Sequence, residues 1–265
     1  MAESTDIAWC DSTINLWIGC TQISPACDDC YAMAWAARFK IPWNAPPRRT
    51  ADTSWKKIES YQRHADLFRS IHGRRRRVFI NSLSDFFDNQ ADPAWRKEAC
   101  WRMKDAKDVT FILVTKRPQN VLKLAPMWWM YGGWPENVWL LTTVENQVEA
   151  DRRIPLLIDA AKRLGIRTIG LSMEPLLERI RIGTERLACL NWIIFGGESG
   201  KNARPMSNFW VESLLDLAMA IEREDGNPRP AVFVKQLYQR GPKDKAFKDF
   251  ATFPPSLQHR EFPGE

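Results

Sequence analysis

The chain has 265 residues, with 38 basic against 32 acidic side chains, a net charge of +6 and a pI near 9.0. Hydrophobic residues at 45% and charged residues at 26% suit a water-soluble globule with a full α/β core, and no apolar run reaches membrane-spanning length. The N-terminus lacks the basic-then-apolar pattern of a secretory signal, so the expectation is a cytoplasmic protein whose cysteines stay reduced, and the basic balance leans toward a polyanionic partner.

In chain order, residues 1–12 are polar and carry Trp9 and Cys10, placed to pack across one end of the fold. Ile14, Leu16, Trp17 and Ile18 read as a first strand, and Tyr31 to Phe39 carries helical spacing. Between them Cys20, Cys27 and Cys30 stand in a C-x6-C-x2-C spacing, three of the six cysteines. Three thiolates on a loop after a strand ask for a soft metal. Two solutions stand. One is zinc, with Cys10 as a fourth ligand. The other is a four-iron, four-sulfur (4Fe-4S) cluster on Cys20, Cys27 and Cys30, with one iron open for chemistry.

Residues 40–53 are proline-rich and basic and read as a surface excursion. Arg48 and Arg49 beside Trp43 are candidates to grip a phosphate while the ring stacks a base. Ser54 to His72 has helical spacing. Arg74, Arg75, Arg76 and Arg77 form the densest positive patch and are candidate nucleic-acid contacts. They lead into a second strand, Val78 to Ile80, which ends in Asn81-Ser82-Leu83-Ser84-Asp85.

Asp92-Pro93 opens a helix through Lys104. The third strand, Val109 to Val114, ends in Thr115-Lys116-Arg117-Pro118. Residues 125–137 are rich in tryptophan and read as a lid or a buried flap. The fourth strand, Val138 to Leu141, ends at Glu145, and a helix follows through Arg163. The fifth, Arg167 to Leu171, ends at Glu174, and the sixth, Asn191 to Phe195, ends in Gly196-Gly197-Glu198. A helix over 208–223 precedes a seventh strand, Ala231 to Val234, ending in Lys235-Gln236. Residues 237–265 read as an irregular C-terminal extension. Strand–helix alternation predicts one α/β domain over 1–265, a partial or nearly closed parallel (β/α) barrel of the TIM-like kind. A polar group ends nearly every strand, and in such a barrel all of these converge on one rim.

A cysteine triplet after the first strand of a partial barrel resembles the radical S-adenosylmethionine (radical SAM) superfamily. Further landmarks are similar to a phage- and prophage-associated family within reach of that superfamily, catalogued mainly as a domain of unknown function. They are Trp17-Ile18-Gly19-Cys20, Cys27-Asp28-Asp29-Cys30-Tyr31, Thr115-Lys116-Arg117-Pro118, Thr143-Val144-Glu145-Asn146, Ser172-Met173-Glu174-Pro175, Gly196-Gly197-Glu198-Ser199-Gly200 and Lys235-Gln236. The chain departs from the commonest superfamily pattern, C-x3-C-x2-C, in the length of its first gap. It also has Asp29 where an aromatic residue usually precedes the last cysteine.

The resemblance implies a 4Fe-4S cluster on the three cysteines and S-adenosyl-L-methionine on its open iron. An external one-electron reductant would drive cleavage to methionine and a 5′-deoxyadenosyl radical. By placement Ser84 and Asp85 suit the methionine ammonium, Lys116 a carboxylate or phosphate, and Glu145 the ribose hydroxyls. Tyr31 lies beside the cofactor, Gly196 and Gly197 permit close backbone approach, and Glu174 and Glu198 are candidate catalytic groups facing the same rim. The expected substrate is a DNA base or nucleotide. One version, implied by the phage association, isomerises an amino-acid adduct of thymidine from nitrogen to carbon linkage during DNA hypermodification. The alternatives are a radical SAM photoproduct lyase or RNA-modifying enzyme, and a non-enzymatic zinc or iron–sulfur module that binds nucleic acid.

Overall fold

The apolar runs become strands of one sheet, described over residues 5–200, 203–222, 226–239 and 245–264 in a computed structural model. In chain order the strands are β1 (Ser12–Ile14), β2 (Trp17–Ile18), β3 (Arg48–Arg49), β4 (Arg76–Ile80), β5 (Val109–Thr115), β6 (Val138–Thr143), β7 (Ile169–Met173), β8 (Trp192–Gly196), β9 (Ala231–Gln239) and β10 (Lys245–Phe247). The sheet order is β1-β4-β5-β6-β7-β8-β9-β10. All pairs from β1 to β9 are parallel, and β10 returns antiparallel on β9. The seven parallel strands curl into a half-barrel, the expected α/β partial (β/α) barrel.

The helices are α1 (Tyr31–Arg38), α2 (Asp52–Trp55), α3 (Lys57–Arg63), α4 (Ala65–His72), α5 (Pro93–Asp105), α6 (Val121–Leu124), α7 (Met127–Gly132), α8 (Gln147–Leu164), α9 (Thr184–Leu187) and α10 (Asn208–Met219). Their ends follow local chemistry. Asp92 accepts the Ala94 N–H ahead of Pro93 at the start of α5, and Asn146 accepts the Glu149 N–H at the start of α8. Gly165 ends α8 at φ 65, a left-handed turn that costs glycine little. Among the described residues no helix is long and apolar enough to cross a membrane.

Alternation along the strands sorts two cores. One face of the sheet, with Val78, Phe111, Leu113, Leu140 and Leu171, packs in the same cluster as Ala99 and Met103 of α5 and Ile154 and Leu157 of α8. The concave face carries Phe79, Ile112, Leu141, Ile194 and Phe233, and the N-terminal segment fills it with Trp9 and Cys10. Trp9 lies 4.9 Å from the Phe79 ring and edge-on to Trp192. At the other end of the chain, Val234 donates to His259 O and Glu261 to Val232 O, and Phe233 bridges Arg260, so residues 259–261 cover part of β9.

Several local expectations change. Ile14 to Ile18 is not one strand. The Asn81 side chain accepts the Leu16 N–H and Asn15 accepts the Leu83 N–H, both at 2.8 Å, so side-chain amides replace the ladder. The chain then leaves the sheet and Trp17–Ile18 pairs with Arg48–Arg49. The helix expected over Ser54 to His72 breaks into three at Lys56 and His64. The fifth barrel strand begins at Ile169 rather than Arg167. The helix from Asn208 ends at Met219, and its expected end at Arg223 lies outside the described residues. Residues 127–132 are helical, and they precede β6, at the opposite end of the sheet from the strands' C-termini. Trp129 and Trp134 there are buried against each other at 4.5 Å while Met127 and Tyr131 are exposed, so the segment anchors on the far end of the sheet and is not a lid over the rim.

Candidate active site

Carried past the strand ends, the alternation of the concave face delivers polar side chains to one place. Asn81, Lys116, Thr143, Ser172, Glu174 and Lys235 line a cavity of about 350 Å³ at the C-terminal end of the parallel strands. This is the end where parallel α/β barrels build their sites. Phe79 and Val114 supply apolar wall, Trp9 and Trp43 enter from the two flanking segments, and Cys20, Cys27 and Cys30 all line the same cavity.

The cysteine loop is held from several sides. Gly19 sits at φ 115, and a Cβ there would lie 3.2 Å from Pro47 Cα, so only glycine allows the proline-rich segment to pack here. Gln22 and Asn44 exchange hydrogen bonds, Gln22 N–H to Asn44 Oδ1 at 3.1 Å and Asn44 Nδ2 to Gln22 Oε1 at 3.2 Å. Across the mouth, Glu145 Oε1 accepts the Ala26 N–H at 3.3 Å, and Arg204 Nη2 donates to Pro25 O at 2.8 Å. Cys30 caps α1, and the Tyr31 hydroxyl donates to Ser82 O at 2.6 Å.

A buried charge network stands behind Cys20. Arg117 places Nη1 3.7 Å from Cys20 Sγ and 3.3 Å from Asp85 Oδ2, while Nη2 donates to Thr21 O and pairs with Asp88 at 3.2 Å. Asp88 also accepts the Thr21 N–H. Burial, and then Asp85, push the Cys20 thiol up to about 12, with Arg117 acting the other way. Loading a metal there therefore releases a proton. Lys116 is held above its ordinary value: burial works against the cation, but Cys27, Cys30, Glu145 and Asp85 outweigh it.

The structure brings together Cys20, Cys27, Cys30, Tyr31, Ser84, Asp85, Lys116 and Glu174. Within that set Asp85 is fully engaged, accepting from the Phe87 N–H, Thr115 Oγ1, the Lys116 N–H and Arg117. Ser84 donates to Trp17 O. Four of the predicted catalytic and cofactor residues do not line the cavity. Glu145 is completely buried, shared between Ala26 and Arg153 at 2.9 Å. Glu198 is buried against Arg204 at 2.5 Å, so it acts on the cysteine loop through that arginine. Gly196 makes room for Glu174, since a Cβ would stand 2.9 Å from Glu174 Oε1, and Gly197 joins β9 through its N–H to Gln236 O.

The arginines divide. Arg48 is exposed, and Arg49 pairs with Asp52 and Glu98 and covers the Trp55 ring at 4.3 Å. Arg74 to Arg77 lie at the N-terminal end of β4, away from the cavity. Arg74 holds Asp11 with both Nη atoms, Arg75 lies 3.5 Å from Glu136, Arg76 stacks over Phe68, and Arg77 stacks over Phe262 at 3.4 Å. Their place and partners are those of packing residues rather than of an open phosphate-binding patch.

Sequence reasoning gave Trp9, Asn81, Asp88, Arg204 and Gln236 no role in the site. Asn81 had a signal: it follows a strand directly, and it sits at φ 63, a conformation asparagine tolerates. The others depend on contacts distant in sequence, 67 positions between Thr21 and Asp88 and 39 between Gly197 and Gln236.

The donor set fits an iron–sulfur cluster better than zinc. Cys10 packs in the concave core and does not line the cavity, and burial pushes its thiol up to about 12.

Among solved structures the half-barrel is similar to spore photoproduct lyase. A cysteine-to-serine variant of that protein aligns with a TM-score of 0.50 at 13% identity, over 95% of this chain and 72% of the other. A second structure, a double variant solved with bound AdoMet and dinucleoside spore photoproduct, gives a TM-score of 0.45 at 12% identity, over 89% and 68%. At these identities the likeness is one of fold. No curated protein matches the chain. The model of the family described as "Protein of unknown function (DUF5131)" matches residues 4–224, and the chain belongs to that family.

Proposed function

We propose that this protein is a radical SAM enzyme that modifies a nucleic-acid base in the cytoplasm, with residues 1–265 forming one domain and 237–265 its C-terminal extension. The observation that carries the reading is that Cys20, Cys27 and Cys30, and among the described residues no other cysteine or histidine, line one cavity of a partial (β/α) barrel. Cys20, Cys27 and Cys30 would hold a 4Fe-4S cluster, which when bound and reduced supplies the electron that cleaves S-adenosyl-L-methionine. Arg117, beside Cys20 Sγ, donates toward a ligand sulfur, an arrangement that favours the reduced cluster. Lys116 supplies a half-buried cation for a carboxylate or phosphate. The apolar wall of Phe79, Val114 and Trp9 excludes water from a reactive intermediate.

The substrate reading is a DNA base or nucleotide. Spore photoproduct lyase, which shares the fold, has been solved with a dinucleoside photoproduct, and cleavage of such a lesion is one reaction this architecture suits. Isomerisation of an amino-acid adduct of thymidine is the other, since moving a substituent from nitrogen to an unactivated carbon calls for a radical.

Anaerobic reconstitution with iron and sulfide tests the class. The expected result is a brown protein with about four irons per chain, and loss of colour in Cys20→Ser, Cys27→Ser and Cys30→Ser. A colourless protein that instead holds one zinc per chain would remove the enzyme reading and leave the nucleic-acid-binding module.

A further inference from the structure

Strand β9 carries one irregularity. Phe195 pairs with Val234 and Gly196 with Gln236, so Lys235 is an extra residue on β9 opposite β8. An extra residue bends a strand and re-aims its side chains, and such bulges gather beside active sites. In regular alternation Lys235 and Gln236 would face opposite sides of the sheet. Here both line the cavity.

Each is prepared differently. Lys235 Nζ lies 2.7 Å from Glu174 Oε1, and Trp9 Nε1 donates to the other oxygen at 3.0 Å. An ammonium has three donors, so the pair leaves Lys235 with more to give. Gln236 is 1% exposed, and its Nε2 donates to Gly197 O, which fixes the orientation of the amide. Its Oε1 is left without a partner. A buried amide oxygen is nearly always satisfied, so an unpartnered one in a residue of the cavity lining is a candidate acceptor for a ligand's N–H. Asn81, also 1% exposed, shows the opposite polarity: Oδ1 accepts the Leu16 N–H and Nδ2 has no partner. Two residues of the cavity lining thus hold an unfilled acceptor and an unfilled donor.

We propose that Gln236 Oε1 and Lys235 Nζ, side by side on the bulge, read the N–H and adjacent carbonyl of the substrate base, a pyrimidine imide of the thymine type. This rests on the reading of the cavity as a nucleobase site. The amino group of the cofactor's own adenine offers similar chemistry, so the test separates the two.

Binding is measured by calorimetry on the anaerobically reconstituted protein, with three titrants: thymidylyl-thymidine, the same dinucleotide methylated at N3 of both bases, and S-adenosyl-L-methionine. The wild type is expected to bind the methylated dinucleotide about tenfold or more weakly, the cost of one lost hydrogen bond to a buried acceptor. Gln236→Leu is expected to bind the unmethylated dinucleotide with a similar loss, to discriminate poorly against methylation, and to keep its affinity for S-adenosyl-L-methionine. The methylated ligand tests the idea without any change to the fold. Equal binding of the two dinucleotides by the wild type, or no binding of either, overturns it. So does a Gln236→Leu variant that loses S-adenosyl-L-methionine and keeps the dinucleotide. If the wild type still forms 5′-deoxyadenosine in those cases, the radical class stands and only the base-reading assignment falls.

Discussion

The two ends of the half-barrel use the same residue types in opposite ways. At the N-terminal end, Arg74 to Arg77 are spent on Asp11, Glu136 and the rings of Phe68 and Phe262, and Trp129 and Trp134 pack together. Most of the polar atoms named there have a partner and no site results. At the C-terminal end, Arg117 is buried between two carboxylates and a thiol, and amide atoms of Asn81 and Gln236 are left open. The difference teaches that a run of one residue type says less than the end of the sheet it lands on. Charge at the start of a parallel strand finds neighbouring loops to pair with, whereas charge at its end faces a hollow.

Removing Arg117 is the hardest blow to the contrast. Arg117→Leu leaves Asp85 and Asp88 buried without their cation, and a broken buried pair costs about 3–5 kcal/mol. Urea denaturation of the metal-free protein should show that loss, and cluster loading should fall with it. An unchanged midpoint would mean that the network does not hold the cysteine loop.

Gly196→Ala sharpens the comparison with a smaller change. A Cβ 2.9 Å from Glu174 Oε1 must displace that carboxylate, and overpacking of this kind costs about 1–3 kcal/mol. The expected signature is weaker substrate binding with cluster content intact, read by iron analysis beside calorimetry.

At the other end, Asp11 controls acid stability. Burial works against its carboxylate, but the hydrogen bonds from Arg74 and from the Arg77 N–H outweigh it and hold its pKa below the ordinary 3.8. A depressed carboxylate contributes stability that is fully present above its unfolded pKa and is lost as pH falls through the folded one. The wild type should therefore lose stability below pH 3.8 more steeply than Asp11→Asn. The variant should be weaker at neutral pH by about 1–3 kcal/mol, with its cavity chemistry unchanged. Parallel acid limbs in thermal melts would contradict this.

Arg75→Ala should do least. Its pair with Glu136 spans 3.5 Å between half-exposed side chains, and surface pairs of this kind are worth about 0–1 kcal/mol. Nucleic-acid affinity in a filter-binding assay should be unchanged. A large loss would restore the arginine run as a binding patch.

Much of this was legible in the sequence. Strand–helix alternation gave the partial barrel, and the C-x6-C-x2-C spacing marked the loop that lines the cavity. Strand-end letters could not say which side chains face inward once the strand has ended. Glu145 and Glu198 follow strands as Glu174 does, yet Arg153 and Arg204 hold them as props for the cysteine loop. The bulge at Lys235 has no sequence signature of its own, because register is set by the neighbouring strand. The Ser54 to His72 pattern kept its apolar spacing while the backbone turned at Lys56 and His64, so periodicity found the buried face and missed the breaks.

The most direct test of the central claim is formation of 5′-deoxyadenosine from S-adenosyl-L-methionine by the reconstituted protein under dithionite, beside a Cys20→Ala, Cys27→Ala, Cys30→Ala variant. The account predicts product from the wild type and none from the variant. Equal product from both, or none from a wild type that carries its full iron content, would contradict it.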